Sequence, residues 1–183
     1  MDLSSPLTPS NTQIYFERYA LRGGGGGTYG IVTSTTYQTH PTFPMVAAVM
    51  LSNTSPAIAQ NLTTEFIKLH PNLSDAGWGG YIHISNSTFS AILVAPNVSW
   101  ADANATFLPF AQYVEDATSG LVVATTIPFP SFYEFYIALF GNPGQVGFNA
   151  EITSRLLPRS LAESDPAKAA EIILSVDGGV GMK

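Results

Sequence analysis

The feature that most constrains this chain is the order of its apolar patterns between residues 45 and 127. Met45–Leu51 is short, apolar and bounded by Pro44 and Asn53, which reads as a buried strand. Ser55-Pro56 has the form of an N-cap followed by proline at the first helical position. The helix it opens places Ile58, Leu62, Phe66 and Leu69 on one face, and Pro71 is expected to end it. Gly79-Gly80 leads into Tyr81–Ser85, and Thr88–Val94 follows a turn at Asn86-Ser87, which predicts a hairpin. Ser99 caps a second helix with Ala103, Phe107, Phe110 and Val114 on one face, and Pro109 is expected to kink it. Leu121–Ile127 reads as a further strand. The order β-α-β-β-α-β predicts an α+β fold: a ferredoxin-like antiparallel sheet with helices on one face. Beyond it, a helix over Phe132–Phe140, a strand near Gln145–Ser154 and an Asp165-Pro166-capped helix to Leu174 are expected.

Charge removes several classes of partner. Seven Lys and Arg against thirteen Asp and Glu leave a net charge of −6. No Lys or Arg lies between Leu69 and Ser154, where Asp75, Asp102, Glu115, Asp116, Glu134 and Glu151 stand alone. Nucleic acid is therefore not an expected partner. Nor is a membrane, because Met45–Leu51 is far short of the roughly 20 apolar residues that span a bilayer. With no cysteine, thiolate nucleophiles and cysteine metal sites are excluded. His40, His70 and His83 are scattered without neighbouring carboxylates and read as loop or surface histidines rather than metal ligands. Glu115-Asp116 reads as a solvated helix end, and no Gly-x-Ser-x-Gly elbow is present.

Glycosylation acceptors are in excess. Chance placement of nine Asn among 34 Ser and Thr gives roughly two Asn-x-Ser/Thr acceptors. Six occur: Asn53, Asn61, Asn72, Asn86, Asn97 and Asn104. They predict a glycosylated, extracellular protein, while Met1–Gln13 has neither the basic start nor the apolar centre of a secretion signal. The two observations agree if the chain is part of something longer.

The most distinctive local element is Arg22 followed by Gly23–Gly27, then Thr28-Tyr29-Gly30-Ile31-Val32. Gly25-x-Gly27-x-x-Gly30 satisfies the dinucleotide spacing, but its context is wrong for a Rossmann turn. Ile31–Thr39 is β-branched and strand-like, and no acid lies between Glu17 and Glu65 to bind a ribose. A P-loop fails because no Gly-Lys-Ser/Thr follows. Five bare glycines abutting a strand suit either a flexible linker or a backbone approaching a large ligand closely.

Residues 20–36 (ALRGGGGGTYGIVTSTT) resemble the motif near the end of the FAD-binding domain in berberine-bridge-type FAD-linked oxidases, which have a PCMH-type, vanillyl-alcohol-oxidase-like FAD fold. The likeness continues through His40-Pro41 to Asn149–Pro158 (NAEITSRLLP) and spans most of residues 20–175. It implies that residues 1–44 are the end of an FAD-binding domain and 45–183 a substrate domain. It further implies that Gly25, Gly26, Gly27, Tyr29, Gly30, Ile31 and Val32 contact FAD, mainly through the backbone. The flavin-attachment histidine of that family would lie upstream, so this chain is expected to be an internal fragment whose partner is the missing half of the FAD domain. By the same likeness, the aromatic segment Phe129–Phe140 falls in the substrate domain, where Tyr133 and Tyr136 meet a small-molecule substrate. The competing expectation is a non-catalytic, secreted, glycosylated binding module on a ferredoxin-like fold.

Overall fold

The computed structural model describes residues 38–141, 155–176 and the backbone of 180–182. The chain divides into two units, Met1–Pro41 and Thr42–Lys183, and the fold below is that of the second. Its elements are β1 (Met45–Asn53), α1 (Pro56–Asp75), β2 (Gly79–Ser85), β3 (Thr88–Pro96), α2 (Trp100–Ala117), β4 (Ala124–Phe129), α3 (Phe132–Phe140), α4 (Arg159–Ser164), α5 (Pro166–Leu174) and β5 (Val180–Met182). The strands form one antiparallel sheet in the order β4-β1-β3-β2-β5. The first four are in the ferredoxin-like order expected from the pattern.

The helices begin where the capping residues stand. The Ser55 hydroxyl accepts from the Ile58 amide, Ser99 from Asp102 and Asp165 from Lys168. Their apolar stripes meet the sheet in one core. Leu62 and Phe66 of α1 and Ala103, Phe107, Phe110 and Val114 of α2 pack on Val46, Ala48 and Met50 of β1 and on Ile82, Ile84, Phe89, Ala91 and Leu93. Phe66 is at the centre, with ring centroids 5.7 Å from Phe89 and 5.3 Å from Phe110.

Two expectations are corrected. Pro71 does not end α1, which continues to Asp75. Proline removes one helical hydrogen bond, but the ring of Pro71 is buried and Leu73 beyond it sits in the core, so packing carries the last turn. The helix stops at Gly77, whose φ of +84° suits a left-handed residue just beyond the C-cap. The fourth strand begins at Ala124 rather than Leu121. There the buried Thr118 side chain accepts from the Val122 amide and donates to the Val114 carbonyl, holding 118–122 as a turn. Pro109 lies inside α2, which runs unbroken to Ala117. The strand expected near Gln145–Ser154 lies outside the described residues.

The α2 helix is also pinned to the edge strand. Asn104 accepts from the Thr126 hydroxyl at 2.6 Å, and the Trp100 indole N–H points at the Thr126 carbonyl at 3.5 Å. Pro128, which has no N–H to offer, lies on the same strand. Together they blunt an exposed sheet edge.

Candidate functional site

Alternation along the strands sends one set of side chains to α1 and α2 and the other set to the opposite face. That second face carries Thr125, Ile127 and Phe129 of β4, Met45, Ala47, Val49 and Leu51 of β1, Ile92 and Val94 of β3, and Tyr81 and His83 of β2. Helix α3 covers one end of it: Phe135 packs on Met45 and Ala47, with Phe129 and Leu139 alongside. Val49, Ile92 and Val94 pack half-buried against the same cluster, and the exposed part of the face includes Leu51 at 70% and Tyr81 at 67%. None of the residues on this face is Asp, Glu, Lys or Arg.

This surface has a definite chemistry. It is largely apolar and uncharged, with hydrogen-bonding groups at Tyr81, His83, Ser90 and Thr125. A wide apolar face on a folded unit marks a place where something else binds. Its character suits a planar, uncharged ring or an apolar substrate. It offers no cation to a diphosphate, which would have to be held elsewhere.

The sequence-derived residues are distributed as follows. Gly25, Gly26, Gly27, Tyr29, Gly30, Ile31 and Val32 lie outside the described residues. Tyr133 and Tyr136 stand on α3, which is capped by Ser131; its hydroxyl accepts from the Tyr133 amide and donates to Glu134. Tyr136 stacks between Phe132 and Phe140 at centroid distances of 6.3 and 6.0 Å. Tyr133 is outside this ladder and more exposed, so the two tyrosines share a helix without sharing a contact. His40 and His83 are exposed, and Glu115 and Asp116 end α2 in solvent. Among the described residues no group of three or more His, Cys, Asp or Glu is placed to hold a metal. Among them, no helix is long and apolar enough to cross a membrane.

Sequence reasoning missed Tyr81 and His83 as members of this face. Their signal is the alternation Tyr81-Ile82-His83-Ile84, which puts both polar rings opposite the two buried isoleucines.

His70 takes another role. It lines a small cavity of about 130 Å³ between α1 and β2, with Phe66, Leu73, Trp78 and Ile82, and its ring lies 5.7 Å from that of Phe66. Burial pushes its pKa below the ordinary 6.5. The unfolded chain therefore takes up this proton first as pH falls through 6.5. Stability is full above that value, declines below it, and levels off once the folded-state pKa is passed. Denaturant midpoints measured from pH 8 to pH 5 are expected to fall on the acid side, and His70→Gln is expected to remove most of that slope. An unchanged slope in the variant assigns it to other groups.

At the C-terminal residue of α1, Arg159 of α4 binds both oxygens of Asp75 at 2.7 and 2.8 Å, and it also binds Glu163 at 2.7 Å. These bonds hold the Asp75 carboxyl below its usual range. The group is exposed, so it locates α4 on α1 more than it stabilises the fold.

The architecture is that of VAO-type flavoproteins. Two crystal structures of such proteins from Myceliophthora thermophila C1 superpose with TM-scores of 0.57 and 0.59 at 24% and 23% identity, covering 86% and 89% of this chain and 30% and 32% of theirs. No protein-family model matches the chain. An uncharacterized FAD-linked oxidoreductase of Arthroderma benhamiae is 33% identical over 78% of this chain and 26% of its own length. FAD-linked oxidoreductase OXR2 of Pyricularia oryzae is 33% identical over 83% of this chain and 25% of its own, and FAD-linked oxidoreductase patO of Aspergillus clavatus is 30% identical over 96% and 32%. The chain belongs to the FAD-linked oxidoreductase family, and it spans about a quarter to a third of the length of the curated relatives it matches.

Proposed function

We propose that this chain is the substrate-side part of an FAD-dependent oxidoreductase, with residues 1–44 closing an FAD-binding domain and 45–183 forming the substrate domain. The observation that carries this reading is the likeness to FAD-linked oxidoreductases across 78–96% of the chain. The uncharged, exposed sheet face fits it, because such a wall suits a flavin ring and an apolar substrate. The chemistry that FAD supplies when bound is acceptance of a hydride from an alcohol, a sugar or an alkaloid-like molecule, with dioxygen as the final acceptor.

The chain's own residues bind and orient. On the resemblance of residues 20–36, this reading assigns flavin contact, mainly through the backbone, to Gly25, Gly26, Gly27, Tyr29, Gly30, Ile31 and Val32. Leu51, Ile92 and Ile127 exclude water from the reacting region. His83, Tyr133 and Tyr136 offer hydrogen bonds that position the substrate's polar group. The rest of the FAD domain is the partner that closes the face. The excess of glycosylation acceptors supports an extracellular location for the longer protein.

Because much of the cofactor's environment belongs to that partner, FAD is not expected to stay with this chain through desalting. Equilibrium titration is the suitable test. Flavin fluorescence is expected to be quenched saturably by the 183-residue chain, with Kd on the order of 0.1–1 mM. Leu51→Lys with Ile127→Lys is expected to weaken binding at least tenfold without lowering the thermal midpoint. No saturable quenching at millimolar FAD favours the non-catalytic binding module instead.

A further inference from the structure

The six glycosylation acceptors are equivalent in sequence, but the fold separates them into two groups. Asn53 accepts from the Thr88 hydroxyl at 3.3 Å across the β1–β3 ladder. Asn97 sits at φ +58°, a left-handed position that asparagine tolerates better than most residues. Asn104 is half-buried, with its oxygen bound to Thr126. The architecture accounts for asparagine at each of these three.

No such account exists for Asn61 and Asn72, and Asn86 has only the general suitability of asparagine for a hairpin turn. All three are exposed, and no side-chain contact to the described residues explains the choice of asparagine. Asn61 and Asn72 lie within α1, where asparagine is a poorer helix former than alanine. They are eleven residues apart, which is close to three helical turns, so they stand on one solvent-facing line of that helix. Asn86 forms the tip of the β2–β3 hairpin with Ser87. None of the three belongs to the exposed apolar sheet face or to α3.

We propose that Asn61, Asn72 and Asn86 carry N-linked glycans and that Asn104 does not. The chemistry is a group transfer without oxidation or reduction. The asparagine amide nitrogen bonds to the anomeric carbon of an oligosaccharide as that carbon's bond to the diphosphate of a lipid-linked donor breaks. The diphosphate leaves with the electron pair, and the amide loses one proton. Sugar at these positions coats the helix side and one hairpin tip while leaving the apolar face clear for its partner.

The test is to express the full chain behind a cleavable secretion leader in a glycosylating yeast, release the sugars with an amidase that converts each modified asparagine to aspartate, and map the peptides by mass spectrometry. Aspartate is expected at positions 61, 72 and 86 and asparagine at 104. Asn86→Gln is expected to remove one step in gel mobility and leave the thermal midpoint unchanged. An unmodified asparagine at any of the three positions, or sugar on Asn104, overturns the assignment.

Discussion

Replacing Phe66 by alanine is expected to remove about 3–5 kcal/mol of folding stability, the range for truncating a fully enclosed aromatic side chain. Phe66 is fully buried and joins both core helices to the sheet: its ring meets Phe89 of β3, Phe110 of α2 and His70 one turn along α1. Those partners belong to separate elements, each fixed by its own hydrogen bonds, so the cavity has little freedom to collapse. The loss is a large part of the roughly 5–15 kcal/mol that holds a domain of this size. Thermal or denaturant unfolding reads it directly. Phe66→Leu, which keeps most of the volume, is expected to lose less than half as much. Equal losses in the two variants would mean that the packing around this ring is not what holds the helices to the sheet.

Gly80→Ala is expected to cost a comparable amount, about 3 kcal/mol, by the opposite mechanism of overfilling. A Cβ at position 80 would lie 2.2 Å from the Ile92 carbonyl oxygen and 2.7 Å from the Leu93 Cα. Both are backbone atoms of the neighbouring central strand, so the clash cannot be relieved by turning a side chain. The φ of +155° at Gly80 adds strain for any residue with a Cβ. The adjacent Gly79 has open space around the same position, which makes Gly79→Ala the control. A loss at position 80 and near neutrality at 79 are expected. Similar effects at both would show that β2 does not approach β3 this closely in solution.

Most of the helix–sheet unit could be read before the structure because its signals are local. Capping residues Ser55, Ser99 and Asp165 and the stripe Ala103-Phe107-Phe110-Val114 each act within a few residues, and each stands where the pattern put it. The reading failed where distant atoms decide. Pro71 looked terminal because proline costs a hydrogen bond, yet burial of Leu73 against the sheet outweighs that cost. Leu121 looked like strand because of its β-branched neighbours, but the Thr118 side chain diverts the backbone first.

The candidate site was less legible for a related reason. Periodicity shows which residues share a face, but it does not show which faces the helices leave bare. Tyr81 and His83 could be paired from alternation, but their exposure follows from both core helices choosing the other side. The glycine run was legible only as a motif, since spacing alone cannot distinguish a linker from a ligand loop. A flavin contact at this motif is proposed on the resemblance of residues 20–36.

The most direct test of the central claim is residue-resolved. A titration of the ¹⁵N-labelled chain with FAD, followed by amide chemical shifts, locates any contact without requiring tight binding. The flavoprotein reading predicts saturable shifts on the exposed part of the sheet face at Tyr81, Thr125 and Ile127, with α1 and α2 silent. Shifts confined to the helix side, or none at millimolar FAD, would contradict it.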